Sequence, residues 1–459
     1  MRHNILLITA DDMAGSTPGC TGNPSEVTPA IDRLAGQGML FGRAHVPVAV
    51  CQPSRSAMMT GRWPHLSGAE GFEPVSDGVP LLTDVLREAG YRCGILGKVE
   101  HLQPVSRFGW DLARSRDELG VGRDPASYAA EAERFIAGAA GQGRPWFLMA
   151  NAHDPHRPFH GSDDEQRMFG SEQLARIPPP SRVFTPDEVT VPGFLPDLPD
   201  VRREIAEYQS SARRCDDVVA ALLHVLARSG QEERTLVVFL SDNGMAFPFA
   251  KANCYLQSSL TPLVVRWPGV TAPGGHDRRH FVSGLDLLPT FCDAAGVPCP
   301  DEVNGRTLLP LLRGQSEGGR DHVVTVFHET AAKGRYEMRA VQTAERGYIW
   351  NYWSDGRRAY QAENMTGRSW AAMVDAAARD QGVAARNEFY LHRAPEELYD
   401  LTIDPAGLDN LADSPAQQLD LTMMRTLLLQ HLRSVHDPLT DAFLAHLDDP
   451  AAAREVESL

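Results

Sequence analysis

The chain has 459 residues, 42% hydrophobic, 23% charged and 7% aromatic, proportions of a folded globular protein that exclude disordered, collagenous and disulfide-stapled classes. Lys plus Arg number 44 against 60 Asp plus Glu, a formal net charge of −16. That argues against a nucleic-acid partner, which needs a basic face to neutralise phosphates, yet leaves a small anionic substrate open, since a few local cations can override the mean.

In chain order, Asn4 to Ala10 is a continuous apolar run closed by Asp11 and Asp12, the pattern of a central parallel strand with function at its carboxyl end. Its apolar stretch is too short for an export signal, and acids stand where small cleavage-site residues would be. Thr28-Pro29 predicts a helix start, with Thr as N-cap and Pro at the first helical position, running to about Gln37. Leu81 to Ala89 reads as a helix stopped by Gly90, followed by strands at Tyr91 to Leu96 and Trp146 to Ala152. The proline-rich stretch from Gly161 to Asp200 predicts a long surface loop near the site. Tyr208, Ala212, Cys215, Val219, Leu222 and Leu226 recur at helical spacing, and Thr235 to Leu240 is a further strand ending at Asp242. This alternation predicts an α/β fold, a large mostly parallel sheet sandwiched by helices. Met338 to Thr343 and Tyr348 to Trp353 predict a hairpin turning at Arg346-Gly347, so the chain divides into a catalytic domain over 1–339 and a smaller C-terminal α+β domain over 340–459. The seven cysteines are scattered with no CxxC pair, and no run approaches the ~18 apolar residues a bilayer span needs. A reducing compartment, hence a cytoplasmic protein without a membrane partner, is the expectation. The sequence leaves a homodimer as a candidate assembly.

Asp11, Asp12, Asp242 and Asn243 stand just past two apolar strands whose carboxyl ends converge in a parallel sheet. Three carboxylates gathered there repel unless a cation separates them, and an all-oxygen set suits a hard ion, Ca²⁺ or Mg²⁺, rather than zinc. Either acid pair alone is also an ordinary turn.

Cys51-Gln52-Pro53-Ser54-Arg55, continued by Ser56 to Arg62, resembles the C-x-P-S-R signature of the sulfatase family. The strand into Asp12, the segment Thr28 to Leu34, Gly97-Lys98, Ser241 to Gly244 and the ending Glu397 to Asp400 with Asp404-Pro405 and Asn410-Leu411 stand in that family's order. Within it, His153 to Arg157, Asp242 to Pro248 with Asn253 and Tyr255, and Phe327-His328-Glu329 with Met338 to Gln342 are similar to the sulfamidase-like branch.

The resemblance implies an alkaline-phosphatase-like fold and hydrolysis of a sulfate ester or sulfamate on a small sulfated carbohydrate. It implies conversion of Cys51 to formylglycine by a formylglycine-generating enzyme and a bound Ca²⁺, with Mg²⁺ or Mn²⁺ as alternatives. One hydroxyl of the hydrated aldehyde, activated by the metal, attacks sulfur, and the other expels sulfate. By the same resemblance the metal is held by Asp11, Asp12, residue 51, Asp242 and Asn243. Arg55 bonds the diol and the ligand acids, Lys98 and Lys251 meet sulfate oxygens, His101 partners the diol, and His153 protonates the leaving group. His101 departs from the usual Lys-x-His spacing, because Val99 and Glu100 both intervene. His156, His328, Glu329 and Arg339 are expected to line a sugar subsite. Two other readings share the scaffold: a phosphonate monoester or phosphodiester hydrolase, and a silent glycan- or anion-binding protein if Cys51 stays unmodified.

Overall fold

The computed structural model describes residues 2–448. Strand β1 (Asn4–Ala10) lies near the middle of an eight-stranded sheet that also holds β2 (Met39–Phe41), β3 (Arg92–Leu96), β4 (Leu112–Arg114), β5 (Trp146–Asn151), β6 (Thr235–Ser241), β7 (Leu263–Arg266) and β8 (Gly275–Asp277). The order is β4-β3-β5-β1-β6-β7-β2-β8, and every pairing is parallel except the two made by β7. Alternate side chains of β1 enter opposite layers: Leu6 and Ile8 pack with α1 (Pro29–Gln37), while Ile5 and Leu7 pack with α2 (Cys51–Thr60). Both faces of the central strands are therefore buried, which is why their sequences are apolar throughout rather than alternating.

Helices α3 (Pro125–Gly141) and α4 (Pro199–Arg228) complete the first layer, and α5 (Leu287–Ala295) the second. The six α4 positions predicted to share a face are all buried. Thr28 occupies the N-cap of α1, but its hydroxyl bonds Asp32. The α1 amino end is capped instead by Asp216 of α4, whose carboxylate accepts from the backbone N–H of Ala30 at 2.9 Å and of Ile31 at 2.8 Å. A cap supplied from 185 residues away leaves no local signature.

A second sheet, wholly antiparallel, runs β9 (His322–Glu329), β10 (Arg335–Thr343), β11 (Arg346–Asn351), β12 (Glu396–Asp400). It packs one face on the catalytic layer through Phe327, Met338, Ala340 and Ile349, and the other on α7 (Gln418–Ser434) through Val326, Val341, Tyr348 and Trp350. Helix α6 (Gln381–Leu391) lies between β11 and β12 in sequence.

Three expectations change. Residue 340 falls inside β10, and the antiparallel sheet starts at His322, because β9 hydrogen-bonds β10 along its length. The smaller domain's predicted end also extends past the described residues. The hairpin turns at 344–345, with Arg346 and Gly347 already paired in β11. The 161–200 stretch is not only surface loop: it holds helices at Asp163–Met168 and Ser171–Leu174, and it buries Phe184, Val189, Phe194 and Leu195. Among the described residues, no helix is long and apolar enough to cross a membrane.

Candidate active site

The parallel register sets Thr9 beside Asn151 and Ala10 beside Ser241. The carboxyl ends of β5, β1 and β6 thus deliver His153, Asp11, Asp12, Asp242 and Asn243 to one edge, and β3 adds Lys98. Gly97, at φ 70°, allows the close crossing there: a Cβ would lie 2.5 Å from the Asn151 carbonyl oxygen.

Cys51 is the first residue of α2, a helix whose ten residues are all buried. Its Sγ lies 3.3 Å from Asp11 Oδ1, 3.9 Å from Asp12 Oδ1 and 3.2 Å from Lys251 Nζ. Burial, then Asp11, push the Cys51 thiol well above its usual range, and Lys251 only partly offsets them. An unmodified Cys51 is therefore a neutral thiol at pH 7 and a poor nucleophile.

Each acid faces a cation. Asp11 pairs with Lys98, Asp12 Oδ1 with Lys251 at 2.7 Å, and Asp242 Oδ2 with Arg55 at 2.7 Å. Burial pushes the Asp242 carboxyl up to about 7; Arg55 opposes that, and Asp11 and Asp12 add to it. Burial disfavours the Lys251 ammonium, but Asp12, Cys51, Asp11 and Glu363 outweigh it and push its pKa well above the lysine range. Arg55 also donates to Thr9 Oγ1 at 2.8 Å and to Asn151 Oδ1 at 2.6 Å, so one guanidinium ties three strand ends together.

Charge count alone does not require an ion here, because three ammonium or guanidinium groups balance three carboxylates. The oxygens do fit one: Asp12 Oδ2 and Asn243 Oδ1 are buried with no hydrogen-bond donor, the state a hard cation would relieve. Asp11, Asp12, Cys51 and His156 each offer an atom within 4.8 Å of the others. Asp242 Oδ1 accepts from the Asp12 N–H at 3.1 Å, and Asn243 Nδ2 donates to Asp12 Oδ1 at 2.7 Å. Both therefore adjoin that group.

The histidines divide. His153 Nδ1 lies 3.6 Å from Asp11 Oδ2 and His156 Nε2 lies 3.9 Å from Asp12 Oδ2. Burial lowers both, His156 to about 4 and His153 well below the usual range, so both are neutral at pH 7. The extra residue before His101 is absorbed by Lys98 in a left-handed conformation (φ 53°) and a 3₁₀ turn over Val99–His101. Burial holds His101 neutral, down to about 2, and Phe72 meets its ring edge-on.

Of the four residues expected to line a sugar subsite, His156 alone has a side chain substantially exposed, at 30%. Arg339 is 0% exposed, its Nε bonded to Asp437 at 2.7 Å and its Nη1 to Glu337 at 3.2 Å. His328 is buried with Nδ1 2.9 Å from Glu337, and Glu329 accepts from Lys333 at 2.8 Å and from the Phe72 N–H. His328 and Glu329 lie at the end of β9 and Arg339 within β10, and of their partners Asp437, 98 residues from Arg339, and Phe72, 257 residues from Glu329, are remote in sequence. Sequence reasoning missed Thr9 and Asn151, whose signal was a polar residue inside an otherwise apolar strand. It also missed Arg123, fully buried, which donates to Asp154 Oδ1 at 2.9 Å and to the His156 carbonyl at 3.0 Å, fixing the histidine loop.

A family model described as Sulfatase matches residues 3–297, and one described as N-sulphoglucosamine sulphohydrolase, C-terminal, matches residues 246–359. The N-sulphoglucosamine sulphohydrolase of Homo sapiens is 30% identical over 95% of this chain and 91% of its own length. Arylsulfatase A of Homo sapiens is 27% identical over 98% and 91%. A structure solved with its substrate D-glucosamine-2-N,6-O-disulfate superposes with a TM-score of 0.71 at 17% identity, covering 96% of this chain and 99% of that one. The phosphonate monoester hydrolase of Agrobacterium radiobacter superposes at 0.70 with 20% identity, covering 96% and 97%.

Proposed function

Because the chain belongs to the sulfatase family, we propose that it hydrolyses a sulfate ester or sulfamate on a sugar, with Cys51 converted to formylglycine and a divalent cation, Ca²⁺, held by Asp11, Asp12, Asp242, Asn243 and residue 51. The observation that carries this reading is Cys51 at the buried start of α2, between Asp11 and Lys251 and beside two carboxamide or carboxylate oxygens that lack donors. When bound, the cation and the hydrated aldehyde supply a Lewis acid and an oxygen nucleophile.

The chain's own residues do the rest. The amino end of α2 presents its dipole to an arriving anion. Lys98 and Lys251, both buried and paired with Asp11 and Asp12, take sulfuryl oxygens, and donors already held in place by the fold bind developing charge strongly. Arg55 opposes the rise that burial imposes on the Asp242 carboxyl and holds the strand ends together. His153, neutral and held beside Asp11, has a ring nitrogen available to shuttle a proton to or from the leaving group. His156 stands at the exposed side, where the remainder of the substrate must lie.

Peptide mass over the segment carrying Cys51, together with turnover of an aryl sulfate, N-sulfoglucosamine and a phosphonate monoester, tests the proposal. We expect the aldehyde form and preference for the sulfated sugar. Faster turnover of the phosphonate would assign the phosphonate-hydrolase reading, and an unmodified thiol with no turnover the silent-binder reading.

A further inference from the structure

Asp277, His280 and Ser316 form a hydrogen-bonded relay at the edge of the main sheet. Asp277 closes β8 and accepts from His280 Nδ1 at 2.7 Å, and His280 Nε2 lies 3.3 Å from Ser316 Oγ. Nδ1 faces a carboxylate and so carries the ring proton, which leaves Nε2 as an acceptor; the Glu317 N–H also points to it, at 3.4 Å. Burial raises the Asp277 carboxyl, but the backbone N–H groups of His280 and Arg279 and the His280 ring outweigh it and hold it low. The imidazole and the acid are sheltered, with side chains 10% and 12% exposed, whereas Ser316 is exposed. A reachable hydroxyl, a neutral base and an orienting carboxylate in this order are what nucleophilic serines use on unrelated folds. In the sheet order β8 stands four strands from β1. At about 4.8 Å per strand the relay is roughly 19 Å from the acids that close β1.

The loop carrying Ser316 is held in place. Arg306 donates to the Gly318 carbonyl at 3.1 Å and to the Gly319 carbonyl at 2.6 Å, and Arg320 bonds Asp286 at 2.7 Å and pairs with Glu317. The Phe281 N–H donates to the Arg320 carbonyl at 2.8 Å, which ties the residue after His280 to the far end of the same loop. Gly314-Gln315-Ser316-Glu317-Gly318 has the G-x-S-x-G spacing found around hydrolase serines. It stands in a loop before β9 rather than in a strand-to-helix elbow, so the case rests on the distances. A Cβ built on Gly314 or Gly318 would meet nothing within 4 Å, so space is open on both sides of the serine. Among the described residues the N–H groups of Gly318 and Gly319 meet no acceptor, which leaves them free to donate to a developing oxyanion.

We propose that Ser316 is the nucleophile of a second hydrolytic site, separate from the one built on Cys51, that acts on small unhindered carboxylic esters. Ser316 Oγ bonds to the ester carbonyl carbon as its proton passes to His280 Nε2. The bond from that carbon to the leaving oxygen then breaks, and the same nitrogen gives the proton to that oxygen. Water repeats the sequence on the acyl-serine, releasing the carboxylic acid and restoring the hydroxyl. This goes beyond the sulfatase reading and does not rest on it.

The test treats wild type, Cys51→Ala, Ser316→Ala, His280→Gln and Asp277→Asn with p-nitrophenyl acetate, following p-nitrophenol release from the first seconds and mapping acetylated peptides by mass. Melting midpoints and aryl sulfate turnover are measured alongside. We expect a burst with acetyl on Ser316 in wild type and in Cys51→Ala alike. Ser316→Ala should lose the burst with its midpoint and aryl sulfate turnover unchanged. Acetylation of Ser316 should slow by about 100-fold or more in His280→Gln and in Asp277→Asn. No acetyl on Ser316, or an undiminished rate in both His280→Gln and Asp277→Asn, would overturn the proposal, the second because an exposed serine would then be reacting unassisted. Loss of the burst in Cys51→Ala would place the esterolysis at residue 51 and overturn it too.

Discussion

Replacing Arg55 with methionine keeps an unbranched apolar stem but removes the guanidinium and its charge. Arg55 and Asp242 both have side chains at 0% exposure and meet at 2.7 Å, so the variant strands a buried carboxylate. Breaking one side of such a pair costs about 3–5 kcal/mol. With an unfolding entropy of about 2 cal/mol/K per residue, a chain of 459 residues loses roughly 1 °C per kcal/mol, so the midpoint should fall by about 3–5 °C. Calorimetry and urea unfolding should be run in chelator, because a bound cation would compensate the stranded acid and hide part of the loss. Adding Asp242→Asn to Arg55→Met removes that acid and should recover more than half of the lost stability, a coupling that a double-mutant cycle reads directly. The reasoning fails if Arg55→Met costs less than about 1 kcal/mol in chelator, or if the second substitution recovers nothing.

Cys51→Ala should abolish turnover of every sulfated substrate while leaving the melting midpoint intact, and Cys51→Ser should be nearly as inactive; retained activity in the alanine variant would overturn the formylglycine mechanism. Arg339→Ala should lower the midpoint, since it strands Asp437 and Glu337, and should leave the ratio of sugar to aryl turnover unchanged; a selective loss on the sugar would place Arg339 in the subsite after all. Burial raises the Glu396 carboxyl, but hydrogen bonds from His446, Arg425 and Tyr348 outweigh it and hold it down to about 2. Its stabilisation, at most about 3 kcal/mol, is thus fully present above the unfolded value near 4.5 and lost as pH falls through about 2. In urea titrations the deficit of Glu396→Gln should be largest at pH 6 and close towards pH 2; a pH-independent deficit would refute the assignment.

The parts of the fold that proved readable are those where one local pattern had one outcome. An apolar heptapeptide followed by two acids could only be a strand buried on both faces with its charges at the end, and Thr28-Pro29 could only begin a helix. The C-x-P-S-R run marked Cys51 and Arg55 as site residues, while the helix that carries both came only with the structure. What escaped depended on partners remote in sequence. Arg339 looks like any strand residue until Asp437, 98 positions on, closes over it. Asp216 gives no hint that it caps α1, nor Asn364 that it holds the Lys251 carbonyl. The single extra residue before His101 was visible, but its resolution lay in the backbone at Lys98 rather than in composition.

The grip of Asn364 on the Lys251 carbonyl, and of Tyr360 on the Ala252 carbonyl, bears on how this chain can be dissected. The loop bearing that ammonium owes its shape to a segment more than a hundred positions later, beyond the first three strands of the smaller sheet. Expressing the amino-terminal two thirds alone would produce a protein with every metal-side acid and its cysteine, yet with an unbraced lysine. Grafting the carboxyl-terminal third from a relative would exchange Tyr360 and Asn364 together, altering the hold on the Lys251 loop in one stroke. The two regions are therefore structurally interdependent, and the loop bearing Lys251 cannot be altered in the first without regard to the second.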